Sequence, residues 1–224
     1  KSEGIIIWNN SHVAYLLNIR SFEIQNSTKP FAGLFIPKKD IKPILISNNK
    51  FLKKINKLNK NFDHMSQKKF ISYIFKSKIK SVETNYNYSN YDIYLSLSKN
   101  IFVKETKIHI DKKISKKSKV EFDNIKLCHI QDGISLTKFI LQSKKNNKLF
   151  KDEYSIADNL YQLRKQGVNF FRNSFDYISA LDKNAAIVHY KPSQVSSQKL
   201  SNHSLLLLDS GAHYLEGTTD VTRV

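Results

Sequence analysis

Two aspartates near the C-terminus have a spacing that could support metal-ion chemistry. Four leucines at residues 205–208 predict a buried strand that ends at Asp209, and Asp220 follows eleven residues later. A carboxylate beside such an apolar run is unfavourable unless it is paired or ligates a cation. In an antiparallel hairpin centred near residues 214–215, the two aspartates would lie directly opposite each other, with Cβ atoms ~5 Å apart.

Two carboxylates at that separation repel each other unless a divalent cation lies between them. Hard oxygen ligands favour Mn²⁺, Mg²⁺ or Ca²⁺, and they leave Zn²⁺ and Co²⁺ open. The alternative interpretation is a pair of exposed aspartates on either side of an ordinary turn. Residue types and spacing taken alone favour that alternative.

The amino-acid sequence of this segment is more informative than the spacing of its two aspartates. It reads Leu-Asp209-Ser-Gly-Ala and then Tyr-Leu-Glu-Gly-Thr-Thr-Asp220-Val-Thr-Arg. This closely resembles the signature of the Xaa-Pro aminopeptidases (aminopeptidase P), which are metallopeptidases of the pita-bread, creatinase-like type. The related prolidases, creatinases and methionine aminopeptidases share the two aspartates but usually not the Gly-Thr-Thr-Asp motif. A prolidase-like sister hydrolase is therefore the alternative within the enzymes.

The resemblance implies a role for each site residue. Asp209 is expected to bind one metal of a dinuclear pair, usually manganese, and Asp220 to bridge both. His189, in Ile-Val-His-Tyr-Lys-Pro, is expected to hydrogen-bond the substrate and assist the tetrahedral intermediate, whereas alone it would be read as a satisfied strand histidine. The family completes its site with a His and two Glu downstream of the Thr-Arg pair. Their expected position beyond Val224, together with a first family domain expected upstream of Lys1, implies a chain that is truncated at both ends and inactive alone.

Weaker matches extend the resemblance to most of the chain. Residues 13–20 resemble a segment of the family's non-catalytic domain, and residues 129–136 resemble the first long helix of the catalytic domain. We therefore expect a creatinase-like domain over residues 1–112 and the first half of a pita-bread domain over residues 113–224. Three family glycines are replaced within residues 179–186, which puts the φ > 0 conformations of that loop in question.

Hydrophobic periodicity predicts a mixture of helices and strands, and hence an α/β (α+β) fold with a mixed sheet in its first part. The expected strands are residues 5–8, 13–17, 34–36, 44–46, 79–82, 101–103, 168–171, 177–179, 185–190, 204–210 and 218–224. The expected helices are residues 51–58, 70–75, 91–97, 119–143 and a segment that begins at Ser155, with Asp158 completing a capping box, and ends near residue 165. A cationic linker is expected at residues 112–119.

Composition limits the other classes of function. The net charge of +18 suggests nucleic acid as a partner, but almost all cations are lysines scattered through Asn- and Ile-rich sequence. The four arginines, which specific phosphate binding favours, are also dispersed: they are Arg20, Arg164, Arg172 and Arg223. We therefore expect a peptide partner with proline in second position, and neither nucleic acid nor membrane.

Compartment and assembly are less constrained by the sequence. Cys128 is the only cysteine, which suits a reducing, cytoplasmic compartment, and no apolar run reaches the ~18 residues of a membrane span. A second chain that completes the site, or a homodimer, is a possible partner. A non-catalytic binding or dimerisation module is the alternative outside the enzymes.

Overall fold

The computed structural model describes residues 2–39, 41–49, 61–146 and 150–224. The chain forms two compact units, residues 1–116 and 117–224. The helix predicted at residues 51–58 lies outside the described residues. Within the described ranges, no helix combines the length and the apolar composition needed to cross a membrane.

The first unit is built on a six-stranded mixed sheet, which confirms the α/β expectation for this part of the chain. The strand order is β4-β3-β2-β1-β5-β6, with parallel pairs β3–β4, β1–β5 and β5–β6 and antiparallel pairs β1–β2 and β2–β3. The strands are β1 (Gly4–Ile7), β2 (Gly33–Pro37), β3 (Ile44–Ile46), β4 (Asp63–Met65), β5 (Ser81–Thr84) and β6 (Phe102–Glu105).

The sheet buries apolar side chains on both of its faces, because successive strand residues point in opposite directions. Ile6 belongs to a core that Phe70 and Leu97 also enter from two helices, and Ile7 belongs to a second core with Val13. Among the residues that the structure describes, the helices of this unit are α1 (Asn10–Leu17), α2 (Gln67–Lys76), α3 (Tyr91–Ser98) and α4 (Ile110–Ser115), with a 3₁₀ turn at Tyr86–Tyr88.

One strand predicted for the first unit is wrong. Residues 13–17 belong to helix α1 rather than to a strand, because the Asn9 side chain accepts hydrogen bonds from the amides of Ser11 and His12 and so caps the helix. Asn18 ends it in the left-handed conformation, at φ 49°. The cationic segment at residues 112–119 contains the end of α4 and the start of the next helix, and the boundary between the two units, after residue 116, falls within it.

The second unit packs two helices against two small antiparallel sheets. The three-stranded sheet has the order β11-β9-β8, and β10 pairs with β7. Leu136 and Phe139 of the first helix meet Leu160 of the second and Leu208 of the sheet in one core. The elements are α5 (Lys119–Lys145), α6 (Glu153–Lys165), β7 (Phe170–Asn173), β8 (Ile178–Leu181), a 3₁₀ helix (Asp182–Ala186), β9 (Leu206–Ser210), β10 (Ala212–Tyr214) and β11 (Val221–Arg223).

Side-chain caps fix where both helices begin. Ser118 and Glu121 form a capping box at the start of α5, so this long helix begins at the predicted residue. The expected cap of α6 is wrong by three residues. Asp152 is the N-cap, and Ser155 is its reciprocal partner rather than the cap itself.

The strand predicted at residues 185–190 is also absent. The chain forms the 3₁₀ helix there and then a turn that contains His189. Asp182 explains the departure, because it lies at φ 50° and its carboxylate accepts from the Leu205 amide at 2.7 Å, which ends strand β8. Left-handed conformations therefore occur in this segment at Asp182 and His189 without glycine.

Candidate metal centre

The two candidate metal ligands lie on one β-hairpin. Thr222 pairs with Asp209 between β11 and β9, and the pairing continues through His213 and Thr218 to a turn in which the Tyr214 amide donates to the Gly217 carbonyl at 2.8 Å. The turn is therefore centred on residues 215–216. The prediction that the aspartates lie directly opposite each other is wrong by two residues.

The corrected register still brings both carboxylates to one face. Asp220 falls opposite Gly211, two residues along the hairpin from Asp209, so the two aspartates are diagonal neighbours. Such neighbours are ~7–8 Å apart in an antiparallel pair. Asp209 is half-buried and accepts a 2.7 Å hydrogen bond from the Thr222 hydroxyl, whereas Asp220 is exposed.

Gly211 allows the hairpin to close between the aspartates. A Cβ atom at this position would collide with the Thr219 carbonyl oxygen and with the Ser174 hydroxyl. That hydroxyl donates to the same Thr219 oxygen at 3.0 Å, so the backbone is held where a side chain would need room. Close approach of the backbone therefore explains the glycine of the Asp-Ser-Gly motif.

A buried ion pair joins the hairpin to both helices. Arg164 on α6 is fully buried and contacts Asp132 on α5 through Nε (2.7 Å) and Nη2 (2.8 Å). The Tyr214 hydroxyl on β10 donates to the same carboxylate at 2.9 Å. Burial lowers the pKa of Arg164, but Tyr177 and Asp132 outweigh it and raise the pKa above its usual value. Burial and the Asp132 charge likewise raise the pKa of Tyr214.

A second buried carboxylate fixes the segment that carries His189. Glu153, in the first turn of α6, is fully buried and accepts hydrogen bonds from four donors at 2.6–2.9 Å. Burial raises the pKa of Glu153, but these hydrogen bonds more than offset it, so the pKa lies below its usual value. The donors are the Leu181 amide, the Asn184 side chain, the Tyr190 hydroxyl and the Gln198 amide.

His189 itself is exposed in the turn, at φ 58°, next to the anchored Tyr190. Its side chain is therefore open to a substrate, while its backbone is held from the adjacent residue. The structure brings Asp209 and Asp220 together on one hairpin and places His189 on a separate segment of the same unit.

The buried residues Asp132, Glu153 and Arg164 were missed by the sequence reasoning. Each is a charged residue within an apolar helical stripe, and this interruption of the stripe was the available signal. The hydrogen-bond and ion-pair partners of these residues lie on other elements, which a helical pattern does not specify.

The donor set fits part of a divalent metal site. Two carboxylates on one face supply the hard oxygen ligands that Mn²⁺, Mg²⁺ or Ca²⁺ prefer. Among the described residues, however, no group of three or more His, Cys, Asp or Glu side chains is placed to hold a metal ion. Zinc sites use at least three protein ligands and calcium takes six to eight oxygens, so these residues provide an incomplete set.

Sequence comparisons match the chain to known metallopeptidases. Residues 123–224 match the family described as Metallopeptidase family M24. The chain is 29% identical over 247 residues to a probable Xaa-Pro aminopeptidase P from Podospora anserina, and the match covers 100% of the chain and 35% of that protein. The chain thus spans about a third of the length of this relative.

Solved structures share the fold. An X-prolyl aminopeptidase from Caenorhabditis elegans, described as a cytosolic enzyme with a di-nuclear active site, matches with TM-score 0.81 and 25% identity over 99% of the chain and 38% of that protein. An Xaa-Pro dipeptidase from Bacillus anthracis matches with TM-score 0.73 and 17% identity over 99% of the chain and 59% of that protein. Over the part it spans, the chain has the fold of the pita-bread metallopeptidases.

Proposed function

We propose that the chain is part of a metal-dependent aminopeptidase that releases the N-terminal residue from peptides with proline in second position. The match of residues 123–224 to metallopeptidase family M24 supports the proposal. The observation that carries this proposal is the hairpin, on which the Asp-Ser-Gly and Gly-Thr-Thr-Asp motifs bring two carboxylates to one face. The similarity to Xaa-Pro aminopeptidases over the whole chain supports the substrate class.

In this proposal, Asp209 and Asp220 hold a pair of divalent ions, with Mn²⁺ as the preferred metal. Asp209 would bind one ion and Asp220 both. When bound, such ions activate a water molecule and polarise the carbonyl of the scissile bond. The hydroxyl of Thr222 orients the Asp209 carboxylate by donating to Oδ1, as partners of metal ligands commonly do.

His189 would hydrogen-bond the substrate and the developing tetrahedral intermediate. Its exposure leaves the imidazole accessible, and the Tyr190–Glu153 hydrogen bond of 2.6 Å anchors the adjacent residue. An imidazole suits this role, since its neutral form can donate from one nitrogen and accept at the other.

We assign the two units different roles. The unit formed by residues 1–116 corresponds to the creatinase-like, non-catalytic domain, for which the expected boundary is residue 112. The second unit corresponds to the first half of the catalytic domain. A cytoplasmic location accords with the single cysteine and with the cytosolic relative from C. elegans.

Hydrolysis tests this function. The 224-residue chain is assayed with Mn²⁺ on an Xaa-Pro-Xaa tripeptide, alone and mixed with a polypeptide covering the part of the P. anserina relative that follows its match. Because the described ligand set is incomplete, we expect no turnover by the chain alone and turnover by the mixture. Asp220→Ala abolishes that turnover, whereas Asp158→Ala, which removes an exposed carboxylate from α6, leaves it unchanged.

Two results would contradict the proposal. One is equal hydrolysis by the mixtures with and without Asp220→Ala, which would show that Asp220 is not part of the site. The other is cleavage of an Xaa-Ala-Xaa peptide as fast as the Xaa-Pro-Xaa peptide, which would show that the enzyme does not prefer proline.

A prolidase-like activity is the second candidate, and the structural similarity to the B. anthracis Xaa-Pro dipeptidase favours it. The same assay separates the two activities. An aminopeptidase cleaves the tripeptide, whereas a prolidase prefers the Xaa-Pro dipeptide.

A further inference from the structure

A small cavity lies in the first unit, at the edge of the sheet where strands β1 and β5 end. These neighbouring strands are parallel, so the carboxyl ends of both lie at this edge. The chain leaves β1 for helix α1, which packs on one face of the sheet through Val13, and it leaves β5 for helix α3, which packs on the other face through Ile93. Adjacent parallel strands whose connections go to opposite faces open a crevice, and open α/β sheets bind ligands in such crevices.

The cavity has aromatic walls and a volume of about 190 Å³. Trp8 follows β1, Tyr88 follows β5 and Phe31 precedes β2, so three segments contribute one ring each. Gly33 fixes the position of the indole, because a Cβ atom on Gly33 would collide with the Trp8 ring. Pockets that hold drug-sized ligands measure ~300–1,000 Å³, so this cavity suits a single flat ring system.

Polar groups without partners line the same cavity. Among the described residues, the Asn10 amide group, the Trp8 indole N–H and the Tyr88 hydroxyl have no hydrogen-bond partner. Gln67 also lines the cavity, and only its oxygen is used, as the acceptor of a hydrogen bond from Asn48. Binding sites for small molecules combine apolar walls with a few such polar groups, which fix the orientation of the ligand.

The lining of the cavity favours a neutral ligand. All described residues that line it are uncharged. Helix N-termini commonly bind anions, but side chains of the chain already cap those at the cavity. Asn9 accepts from the Ser11 and His12 amides at the start of α1, and Asn90 accepts from the Ile93 amide at the start of α3. An anionic group would therefore find no cation in the cavity and would compete with these caps.

We propose that this cavity binds an adenine ring. Stacking on the aromatic walls of Trp8, Phe31 and Tyr88 suits any nucleobase, because every base has a π-face. The Asn10 amide selects adenine, since an asparagine amide can hydrogen-bond the N6 amino group and N7 of adenine together. A free base, a nucleoside and a nucleotide share this ring. The proposal concerns the first unit alone and is independent of the metal chemistry.

Fluorescence of the full chain tests the site directly, because Trp8 is the only tryptophan of the chain and lines the cavity. Adenine is titrated with excitation at a wavelength that purines do not absorb, and we expect a saturable change in the Trp8 emission. Tyr88→Ala and Asn10→Ala should each raise the adenine dissociation constant ~10-fold or more, because each removes a stacking or a two-bond contact.

Purine without the amino group tests the role of Asn10. It should bind the unsubstituted chain ~10-fold more weakly than adenine does, because it cannot form the second hydrogen bond to the amide. Asn10→Ala should bind adenine and purine equally. Adenosine and adenosine monophosphate, titrated in the same way, distinguish a free base from a nucleoside or a nucleotide, and every form that binds should lose affinity in Tyr88→Ala.

Tyr91→Ala and Asn87→Ala are the matched controls. Both residues are exposed on the segment that follows β5, and neither is among the described residues that line the cavity, so the adenine affinity should stay unchanged. Circular dichroism checks that each variant keeps its helix content. The proposal would be overturned by the absence of a saturable response to adenine, by equal affinity of the unsubstituted chain for adenine and purine, or by an equal loss of affinity in the two controls.

Discussion

At the scale of single residues, Glu153 is the clearest case of a charge that the fold requires. It is fully buried, and its two oxygens accept from four donors on the segment between residues 181 and 198. A buried carboxylate is costly unless it is hydrogen-bonded in this way. The contact also affects Tyr190, because burial, followed in size by the hydrogen bond to Glu153, raises the pKa of Tyr190 to about 12.

Glu153→Gln should destabilise the second unit by about 2 kcal/mol or more, because its amide group would face donors that need an acceptor. The pH dependence has a defined sign. The pKa of Glu153 is lowered from 4.5, so its stabilisation is present above that value and is lost as the pH falls through the lower folded-state pKa. The free energy of unfolding, measured with denaturant between about pH 6 and about pH 3, spans this pKa window. It should fall less with acid in the variant than in the unsubstituted chain.

Asp158→Asn is the matched control for that experiment. Asp158 lies on the same helix, is exposed, and hydrogen-bonds only Gln162 among the described side-chain contacts. It should leave both the stability and its pH dependence unchanged. An equal acid dependence in Glu153→Gln and in the unsubstituted chain would contradict the assignment.

The residues that the sequence predicted and those that it missed differ in a physical way. Asp209 and Asp220 stand in one continuous motif, so their neighbours along the chain identify them. Glu153 and Asp132 acquire their meaning from Tyr190 and Arg164, which lie 37 and 32 residues away. A local pattern contains no information about such partners.

At the scale of elements, the Asp132–Arg164–Tyr214 cluster holds the hairpin that carries the two aspartates against α5 and α6. The cluster takes one member from each of three elements, and all three members are buried. An ion pair removed from water stabilises a fold only when its geometry is good and its remaining polar atoms are satisfied. Its value here is to fix the position of strand β10 and, through it, of the two aspartates.

Asp132→Asn should cost about 3–5 kcal/mol of unfolding free energy, since it leaves the Arg164 charge buried without a counter-charge. Hydrogen exchange should accelerate in β10 more than in β8, because the Tyr214 contact weakens. Asp123→Asn, an exposed position on the same helix, should change the stability by less than about 0.5 kcal/mol. Equal stability of the two variants would show that the ion pair does not hold the hairpin.

Element types were predictable where one periodicity dominated, and they failed where capping side chains decided the outcome. The apolar stripe of α5 identified that helix and its start. Residues 13–17 look like a strand by composition, but Asn9 and Asn18 cap them as a helix. The hairpin was anticipated, but its register was not, because the turn between Tyr214 and Gly217 sets it.

At the scale of the whole molecule, the chain forms two units and matches about a third of the length of the P. anserina relative. The mixed α/β fold was predictable because the alternation of strands and helices persists through the first unit. The central claim concerns the hairpin, where Asp209 and Asp220 are proposed to bind a divalent metal.

Calorimetric titration of the 224-residue chain with Mn²⁺ tests that claim most directly. We expect the unsubstituted chain to bind Mn²⁺ weakly. Asp209→Asn and Asp220→Asn should each lower the Mn²⁺ affinity by more than ~10–100-fold, which is the loss expected when only a hydrogen-bond partner of a metal ligand is removed. Asp158→Asn should bind Mn²⁺ as the unsubstituted chain does. Equal Mn²⁺ affinity in all four proteins would contradict the assignment of the hairpin as a metal site.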